Sequence, residues 1–228
     1  MTFYQQLSQA TVSERQHLLQ SAIIRKALHG GISLDDYVAF LTQAYHHVKH
    51  TVPLLMAAGS RLPQSKEWLR VALAEYIEEE IGHQEWILND IAACGFDKET
   101  ARNSTPNPAT ELMVAYAYDM IQRVNPVGFF GMVFVLEGTS ISVATDAASG
   151  IRQQLDLPAN AFSYLNSHGS LDIEHMKFFE SLMNSIDDIS DQTQIIHCAK
   201  LFFTLYGNIF RSLTAEQAAQ KECNEYQG

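Results

Sequence analysis

The chain has 228 residues, of which 46% are hydrophobic and 18% are charged, a balance typical of a folded globular protein rather than a disordered one. Its formal net charge is −11 and it has no dense stripe of lysine and arginine, which argues against a nucleic-acid partner or an anionic membrane surface. This length suits one large domain with a substantial core.

The cysteines and the N-terminus indicate a cellular compartment. Cys94, Cys198 and Cys223 form no C-x-x-C pair and are odd in number, which favours reduced thiols in a reducing environment. The first residues lack a basic segment followed by an apolar run, so no signal peptide is predicted. No uninterrupted apolar stretch reaches the ~18 residues of a membrane span. We therefore expect a soluble, cytoplasmic protein.

Apolar residues recur with a helical period from the start of the chain, and no strand-like alternation is found. The first helix is expected over residues 2–28, with a weak point near Ala10–Ser13. The second should begin at the N-cap Ser33 and run to about Ala58. The third should begin at Ser65 and continue to Cys94, where a glycine follows.

The second half of the chain continues the helical pattern. After a polar loop at 97–107, helices are expected at about 108–124, 126–155 and 159–186, and a seventh is capped by Asp191. No repeat, low-complexity segment or long linker divides the sequence. The prediction is a single-domain, all-α bundle of seven helices over residues 1–228.

The fifth predicted helix contains an isolated carboxylate. Glu137 is the only charged residue between Pro126 and Ala144, and the surrounding sequence is apolar on nearly all sides, as in a buried helix. A buried carboxylate is protonated, paired or bound to a metal. A structural ion pair remains an alternative, although the chain has only 15 lysines and arginines and none has obvious reach.

The third predicted helix contains an acidic run followed by a histidine. Glu80 and His83 have the Glu-x-x-His spacing of di-iron carboxylate bundles, and Glu79 lies one helical turn from the same histidine. Since three consecutive acids cannot all point inward, Glu78, Glu79 and Glu80 supply one or two ligands at most. A solvated acidic face is the alternative.

The sixth predicted helix contains His168, Asp172 and His175, which are spaced i, i+4, i+7 and so share one face. The two histidines would lie ~10 Å apart along the axis, too far apart for one ion. Two ions ~3.5–4 Å apart could each take one histidine, with the aspartate near both. Imidazole and carboxylate suit iron, manganese or zinc. The alternative is a polar face with surface histidines.

These motifs resemble, in type and order, those of the haem-oxygenase-like di-iron oxidases, in the larger superfamily of TenA, the pyrroloquinoline-quinone synthase and haem oxygenase. The resemblance spans residues ~40 to ~180, and the segments that carry it are Tyr45-His46-His47-Val48-Lys49-His50-Thr51, Glu79-Glu80-x-x-His83, Leu136-Glu137-Gly138 and His168-x-x-x-Asp172-x-x-His175. It implies a seven-helix fold and an O2-dependent oxidase or oxygenase acting on a small organic substrate.

The resemblance also implies the parts of the site. Two iron ions (Fe2+) would be the cofactor, with manganese or zinc as possible substitutes. Because no flavin or nicotinamide motif is present, an external electron donor would be needed. The family also suggests a homodimer. Certain members place the first carboxylate two turns before the histidine, where this chain has Tyr76. The metal ligands carried over are Glu80 (or Glu79), His83, Glu137, His168, Asp172 and His175.

The histidine-rich segment of the second helix is predicted to support the site. His46 and His50 share a face, and we expect roles in the substrate pocket or behind the ligands. Tyr45, as a donor or oxidisable group, and His50 are the candidate catalytic residues. Ordinary hydrogen bonds on an amphipathic helix are the alternative.

Three other functions are weighed. A TenA-like hydrolase of thiamine metabolism needs a cysteine nucleophile, for which Cys198 is the only helical candidate. A cofactor-free oxidase like the pyrroloquinoline-quinone synthase needs a basic pocket, and the sequence shows no arginine cluster. A non-enzymatic protein with the same fold predicts that the six candidate ligands do not converge.

Overall fold

Seven helical units follow one another in the predicted order, but several are divided by breaks. The computed structural model describes the backbone of residues 1–225 and the side chains of residues 1–167 and 176–213. The described backbone contains no strand and twelve α-helices rather than seven. They are α1 (Phe3–Ala10), α2 (Val12–Leu19), α3 (Ala22–His29), α4 (Leu34–Val48), α5 (Thr51–Arg61), α6 (Glu67–Glu80), α7 (His83–Ala93), α8 (Lys98–Asn103), α9 (Pro108–Asp119), α10 (Phe129–Leu155), α11 (Ser163–Asn184) and α12 (Ile189–Glu225).

The breaks lie where side chains or glycine compete with the helical backbone. The first predicted helix divides at Thr11 and Ser21, whose hydroxyls donate to the carbonyls of Leu7 (2.9 Å) and Leu18 (2.5 Å). The third divides at Gly82, which has φ +95°, a left-handed conformation that costs glycine little. The break at Thr11 lies at the predicted weak point near Ala10–Ser13, whereas expecting a continuous helix through Ser21 and through Gly82 was wrong.

One helix was missed altogether. The segment 97–107, expected to be a loop, contains α8 (Lys98–Asn103). Asp97 caps it by accepting hydrogen bonds from the backbone N–H groups of Glu99 (3.0 Å) and Thr100 (3.3 Å). A six-residue helix is too short to show an apolar period, and the cap was its only sequence signal.

The predicted N-cap at Ser33 is confirmed, whereas Asp191, predicted to cap the last helix, lies in the first turn of α12, which begins at Ile189. Ser33 starts α4 with a reciprocal capping box, in which Asp36 N–H donates to the serine hydroxyl and Ser33 N–H donates to the Asp36 carboxylate. Asn107 caps α9, with Pro108 at its first position.

Helix α10 is the central helix of the bundle and packs against α3, α11 and α12. Pro126–Leu155 is long and apolar enough to cross a membrane by length and composition, and 67% of its most apolar window is buried inside the protein. The core helix of a bundle can have the same composition because other helices cover most of its surface.

Glycines allow α10 to approach α12 closely. A Cβ at Gly131 would lie 2.7 Å from the backbone N of Ala199 and 2.8 Å from the carbonyl of Ile195. A Cβ at Gly128 would lie 2.8 Å from Cys198 Sγ. The backbones of the two helices are therefore in direct contact at their crossing. This contact fixes which residues of α12 point toward the interior beside α10.

The two ends of the chain pack together. Helices α2 and α3 lie against α12 and α10, and Tyr4 N–H donates to Asn184 Oδ1 at 3.0 Å. Near the end of α10, Gln154 accepts from Gly31 N–H at 2.9 Å and donates to the carbonyl of Ile32 at 2.7 Å. This closure encloses the interior spaces between α10 and the N-terminal helices.

Candidate metal centre

A cavity of about 80 Å³ lies between α4, α5, α6, α10, α11 and α12. Two of the predicted carboxylates, Glu80 and Glu137, line it together although they belong to different helices. Apart from His47, its other lining groups are apolar side chains and the hydroxyls of threonine, serine and tyrosine. No lysine or arginine lies among its described lining residues, so the cavity has an acidic character.

Glu137 occupies the place that the sequence predicted. Its side chain lies in the interior, with 9% of the residue exposed, in the middle of α10. Met132, Val133 and Leu136 line the same cavity, which places the carboxylate in a largely apolar wall. Such a position is costly for a carboxylate unless a hydrogen bond, a cation or a metal accompanies it.

Glu80 and His83 lie on the two sides of a helix break. Glu80 is the last residue of α6, His83 is the first residue of α7, and Gly82 turns the chain between them. His83 is buried, and its Nδ1 lies 3.2 Å from Glu80 Oε2. Glu80 lines the cavity, whereas Glu79 is exposed at the surface. The geometry therefore favours Glu80 over Glu79 as the candidate ligand.

The remaining three predicted ligands, His168, Asp172 and His175, have side chains outside the described residues. The backbone that carries them belongs to α11, and Tyr164 in its first turn lines the cavity. Over the described residues, no group of three or more histidine, cysteine, aspartate or glutamate side chains is close enough to hold a metal. Convergence of all six ligands stays a prediction.

The histidine-rich segment divides its side chains between two environments. His47 is buried, lines the cavity and meets the ring of Tyr206 edge-on, with ring centroids 5.6 Å apart. His46 Nε2 lies 2.8 Å from Ser104 Oγ, and its Nδ1 lies 3.2 Å from Lys49 Nζ. Burial lowers the pKa of His46 to about 4, with Lys49 contributing, so His46 is neutral at pH 7.

Neither of the predicted catalytic residues lines the cavity. His50 Nδ1 lies 3.1 Å from the hydroxyl of Tyr118, and burial lowers the pKa of His50. Tyr45 is buried, with Lys49 Nζ 5.2 Å from its ring centre. Catalytic roles for Tyr45 and His50 stay predictions. The histidine that lines the cavity together with Glu80 and Glu137 is His47.

Several cavity residues had not been assigned a role. Ser140 was recoverable from the sequence, because it follows Glu137 by three residues and so shares its face of the helix. Tyr76 was noted only as the place of a missing carboxylate. Tyr164 and Tyr206 come from α11 and α12, and no local pattern marks them. Only the tertiary packing of those helices brings them to Glu137.

Comparison with known families agrees with this arrangement. Residues 38–207 match the model of a family described as iron-containing redox enzymes. The chain belongs to the iron-containing redox enzyme family. The match includes Glu80, His83 and Glu137 as well as the segment that holds His168, Asp172 and His175. No curated protein matches the sequence.

Solved structures establish the fold. A domain of unknown function with a haem-oxygenase-like fold from Shewanella denitrificans is 23% identical, with a TM-score of 0.85 over 97% of this chain and 95% of that one. A TenA homologue from Pseudomonas syringae has a TM-score of 0.77 at 11% identity, covering 93% of each chain. Haem oxygenase-1 from Synechocystis, in complex with haem, has a TM-score of 0.76 at 10% identity, covering 100% of this chain and 99% of that one. The predicted all-α, haem-oxygenase-like fold is confirmed.

The described part of the site has donors that fit iron. Carboxylate oxygens and a histidine nitrogen are ligands that iron accepts, and they belong here to α6, α7 and α10. Two carboxylates on one cavity without a lysine or arginine among its described lining residues suit a cation. The family is iron-containing, and this donor set agrees with that description.

Proposed function

We propose that this protein is a non-haem di-iron oxidase or oxygenase that uses O2 to oxidise a small organic substrate. The observation that carries the proposal is the presence of Glu80 and Glu137, from separate helices, on one cavity in a chain of the iron-containing redox enzyme family. The contact between His83 and Glu80 adds the imidazole that such a site requires. The sequence motif His168-x-x-x-Asp172-x-x-His175 supplies the other three proposed ligands.

Each residue has a stated part in the proposal. Glu80, His83 and Glu137 would hold the iron together with the three ligands of α11, and bound iron would supply the activation of O2. His47 and Tyr206 line the same cavity in contact with each other, where an imidazole and a phenol can hold or donate a proton next to the substrate. The mostly apolar lining of the cavity would limit the number of water molecules next to the reacting groups.

The electron donor, the alternative metals, the oligomeric state and the cellular location are also proposals. Electrons would come from an external donor, since the sequence contains no nicotinamide or flavin motif. Manganese or zinc could replace iron at a site with these donors. The homodimer, the cytoplasmic location and the absence of a nucleic-acid or membrane partner stay predictions.

The described cysteines do not favour the TenA-like alternative. Cys94 and Cys198 are both buried, and neither lines the cavity. Burial raises the pKa of Cys94 to about 11 and also raises the pKa of Cys198, which disfavours the thiolate that a nucleophile needs. Cys223 lies outside the described side chains. The TenA homologue among the similar structures supports a shared fold.

The first test is iron content after anaerobic loading with Fe2+ and removal of unbound metal. The wild-type protein should retain about two irons per chain, as a two-metal site requires. Glu137→Gln keeps the shape of the side chain and removes its charge, and it should lose most of the iron. Glu78→Gln makes the same change at an exposed position on α6 and should bind as the wild type does.

A second variant examines the predicted ligands of α11. His168→Ala should also lose iron if that segment completes the site. Wild-type protein that retains no iron, or Glu137→Gln protein that retains as much as Glu78→Gln, would overturn the proposal. After loading, admission of O2 should change the absorption spectrum of the wild-type protein and leave that of Glu137→Gln unchanged.

A further inference from the structure

Trp86 lies directly against the imidazole of one proposed iron ligand. Its ring stacks on that of His83, with the ring centroids 4.0 Å apart and an interplanar angle of 29°. Aromatic pairs in proteins more often have centroids roughly 4.5–7 Å apart, so this contact is close. The two residues are spaced i, i+3 at the start of α7, so the helix itself holds both rings on one face.

The stack connects the interior of the protein with its surface. His83 is 3% exposed, and its Nδ1 lies 3.2 Å from Oε2 of Glu80, which lines the acidic cavity. Trp86 is only half-buried, so part of the residue is exposed to solvent. The imidazole of His83 therefore lies between a carboxylate of the proposed iron site and an indole that can be reached from outside.

An ion pair holds this part of α7 in place. Glu85, the neighbour of Trp86 in the chain, accepts two hydrogen bonds from the guanidinium of Arg102 on α8, at 2.8 and 2.9 Å. Such a two-pronged contact fixes orientation as well as distance. The first turn of α7 is thereby tied to α8, which keeps the separation of the stacked rings constant.

The chemistry of indole distinguishes this contact from a second aromatic contact that also leads outward. Tyr76 lines the cavity, and its ring centroid lies 5.8 Å from that of Phe178, which is 38% exposed. A phenylalanine ring is not oxidised under biological conditions, and tyrosine gives up a proton together with its electron. Indole can lose one electron and keep its proton. The stack of Trp86 on His83 is therefore the contact suited to carry single electrons.

We propose that Trp86 is the relay through which single electrons pass from an external carrier to the iron at His83. The inference rests on the proposed function, which needs an external donor and an iron site that O2 oxidises. Trp86 gives one electron through His83 to the oxidised site and regains one from a one-electron carrier, such as a reduced iron–sulfur protein. The indole ends unchanged, no bond is made or broken in it, and the carrier has lost the electron that the site has gained.

The test uses full-length Trp68→Phe protein, in which Trp86 is the single tryptophan because the chain has two. The protein is loaded anaerobically with Fe2+ or with Zn2+, which has the same charge and no redox chemistry. A light flash on ruthenium tris-bipyridine with a sacrificial electron acceptor then creates an oxidant too large to enter a cavity of about 80 Å³. The transient absorbance of the indole radical reports the electron taken from Trp86.

The expected result is a difference between the two metals. In the Fe2+ protein the radical of Trp86 should decay roughly tenfold faster than in the Zn2+ protein, because Fe2+ refills the indole and Zn2+ cannot. Fe3+ should appear at the same rate as the radical decays. A stack that only stabilises α7 predicts the same decay with both metals.

Trp86→Phe is the matched control, because it leaves Trp68 as the single tryptophan. Trp68 is 40% exposed and lies in the first turn of α6, whereas Glu80 is the last residue of that helix, roughly 18 Å away along the axis. The radical of Trp68 should decay equally with Fe2+ and Zn2+, and Fe3+ should form more slowly than in Trp68→Phe. Both variants should retain as much iron as the wild type, which separates the relay from an effect on folding.

Two outcomes would overturn the relay and leave the proposed function standing. One is equal decay of the Trp86 radical with Fe2+ and Zn2+, and the other is formation of Fe3+ in Trp86→Phe as fast as in Trp68→Phe. Wild-type protein that retains no iron would instead overturn the proposed function, and the relay would fall with it because its electron acceptor would be missing.

Discussion

Asp90 is a buried carboxylate that joins two helices carrying proposed ligands. It lies on α7, is fully buried, and accepts the backbone N–H groups of Ser163 (3.0 Å) and Tyr164 (2.8 Å) in the first turn of α11. Burial raises the pKa of Asp90, and these hydrogen bonds act in the opposite direction. A negative charge at a helix N-terminus is stabilising, so Asp90 fixes the start of α11 relative to His83.

Asp90→Asn should destabilise the protein by about 1–3 kcal/mol, because the amide has one acceptor oxygen for two N–H donors and no charge. The measurement is the midpoint of urea unfolding. Asp97→Asn is the control, since Asp97 makes the same type of cap on α8 at an exposed site and asparagine caps as well as aspartate there. Equal losses from the two substitutions would contradict a special role for Asp90.

For single residues, the sequence predicted the site residue whose charge stands out from its apolar surroundings. It missed the residues that only tertiary packing brings to the cavity. Glu137 was recognisable because it is one charge in an apolar helix, and it does line the cavity. The sequence analysis chose His50, whereas His47 lines the cavity, because neighbouring positions on a helix differ by about 100° and only packing decides which direction is inward. Tyr206, which meets His47 edge-on, lies far away in sequence.

The crossing of α10 and α12 depends on the absence of a side chain at Gly131. Ala199 and Ile195 approach it with backbone atoms, which cannot rotate away as a flexible side chain would. One added methyl group must therefore push the two helices apart along their whole contact. Since α12 carries Tyr206 and α10 carries Glu137, such a shift would also widen the cavity between them.

Gly131→Ala should destabilise the protein by about 1–3 kcal/mol through overpacking. Gly138→Ala provides the matched control on the same helix, because a Cβ there meets nothing within 4 Å. That change should stabilise the helix by about 0.5–1 kcal/mol through the higher helix propensity of alanine. Thermal unfolding of both variants measures the two effects, and a neutral Gly131→Ala would show that the helices can separate without cost.

At the scale of helices, order and type were predictable, but of the breaks within the predicted helices only the one near Ala10–Ser13 was predicted. Helical periodicity, the Ser33 cap and the Asn107-Pro108 start located the units correctly. The division at Gly82 was missed because glycine within an apolar helical pattern is usually tolerated. That division matters for the site, since it places Glu80 and His83 on different helices while keeping their side chains 3.2 Å apart.

Acid stability is a property of the whole molecule to which buried neutral histidines contribute. In the unfolded chain a histidine titrates near pH 6.5, whereas burial lowers the pKa of His46 to about 4 in the folded protein. Between these values the unfolded chain binds more protons, so the free energy of unfolding falls as the pH falls. His50, whose pKa burial also lowers, acts in the same direction.

The loss attributable to His46 should be about 1–3 kcal/mol between pH 7 and pH 4.5. Urea unfolding at several pH values in that range measures it. His46→Gln keeps an amide donor toward Ser104 and cannot titrate, so its stability should depend less steeply on pH. His17→Gln, at an exposed position on α2, should keep the wild-type slope. Parallel slopes for wild type and His46→Gln would contradict the assignment.

The packing of the N-terminal helices against the C-terminal ones governs how the protein folds as it is made. The apolar faces of α2 and α3 are completed by α10 and α12, and α10 begins about 100 residues after α3 ends. At ordinary rates of translation that interval lasts roughly 5–20 s. During it, Leu18, Ile23 and Ile24 belong to a nascent chain that still lacks the α10 and α12 surfaces against which α2 and α3 pack. The closing contacts are among the most distant in sequence, so ribosome-bound chains that stop before α10 are the species that chaperones and proteases meet.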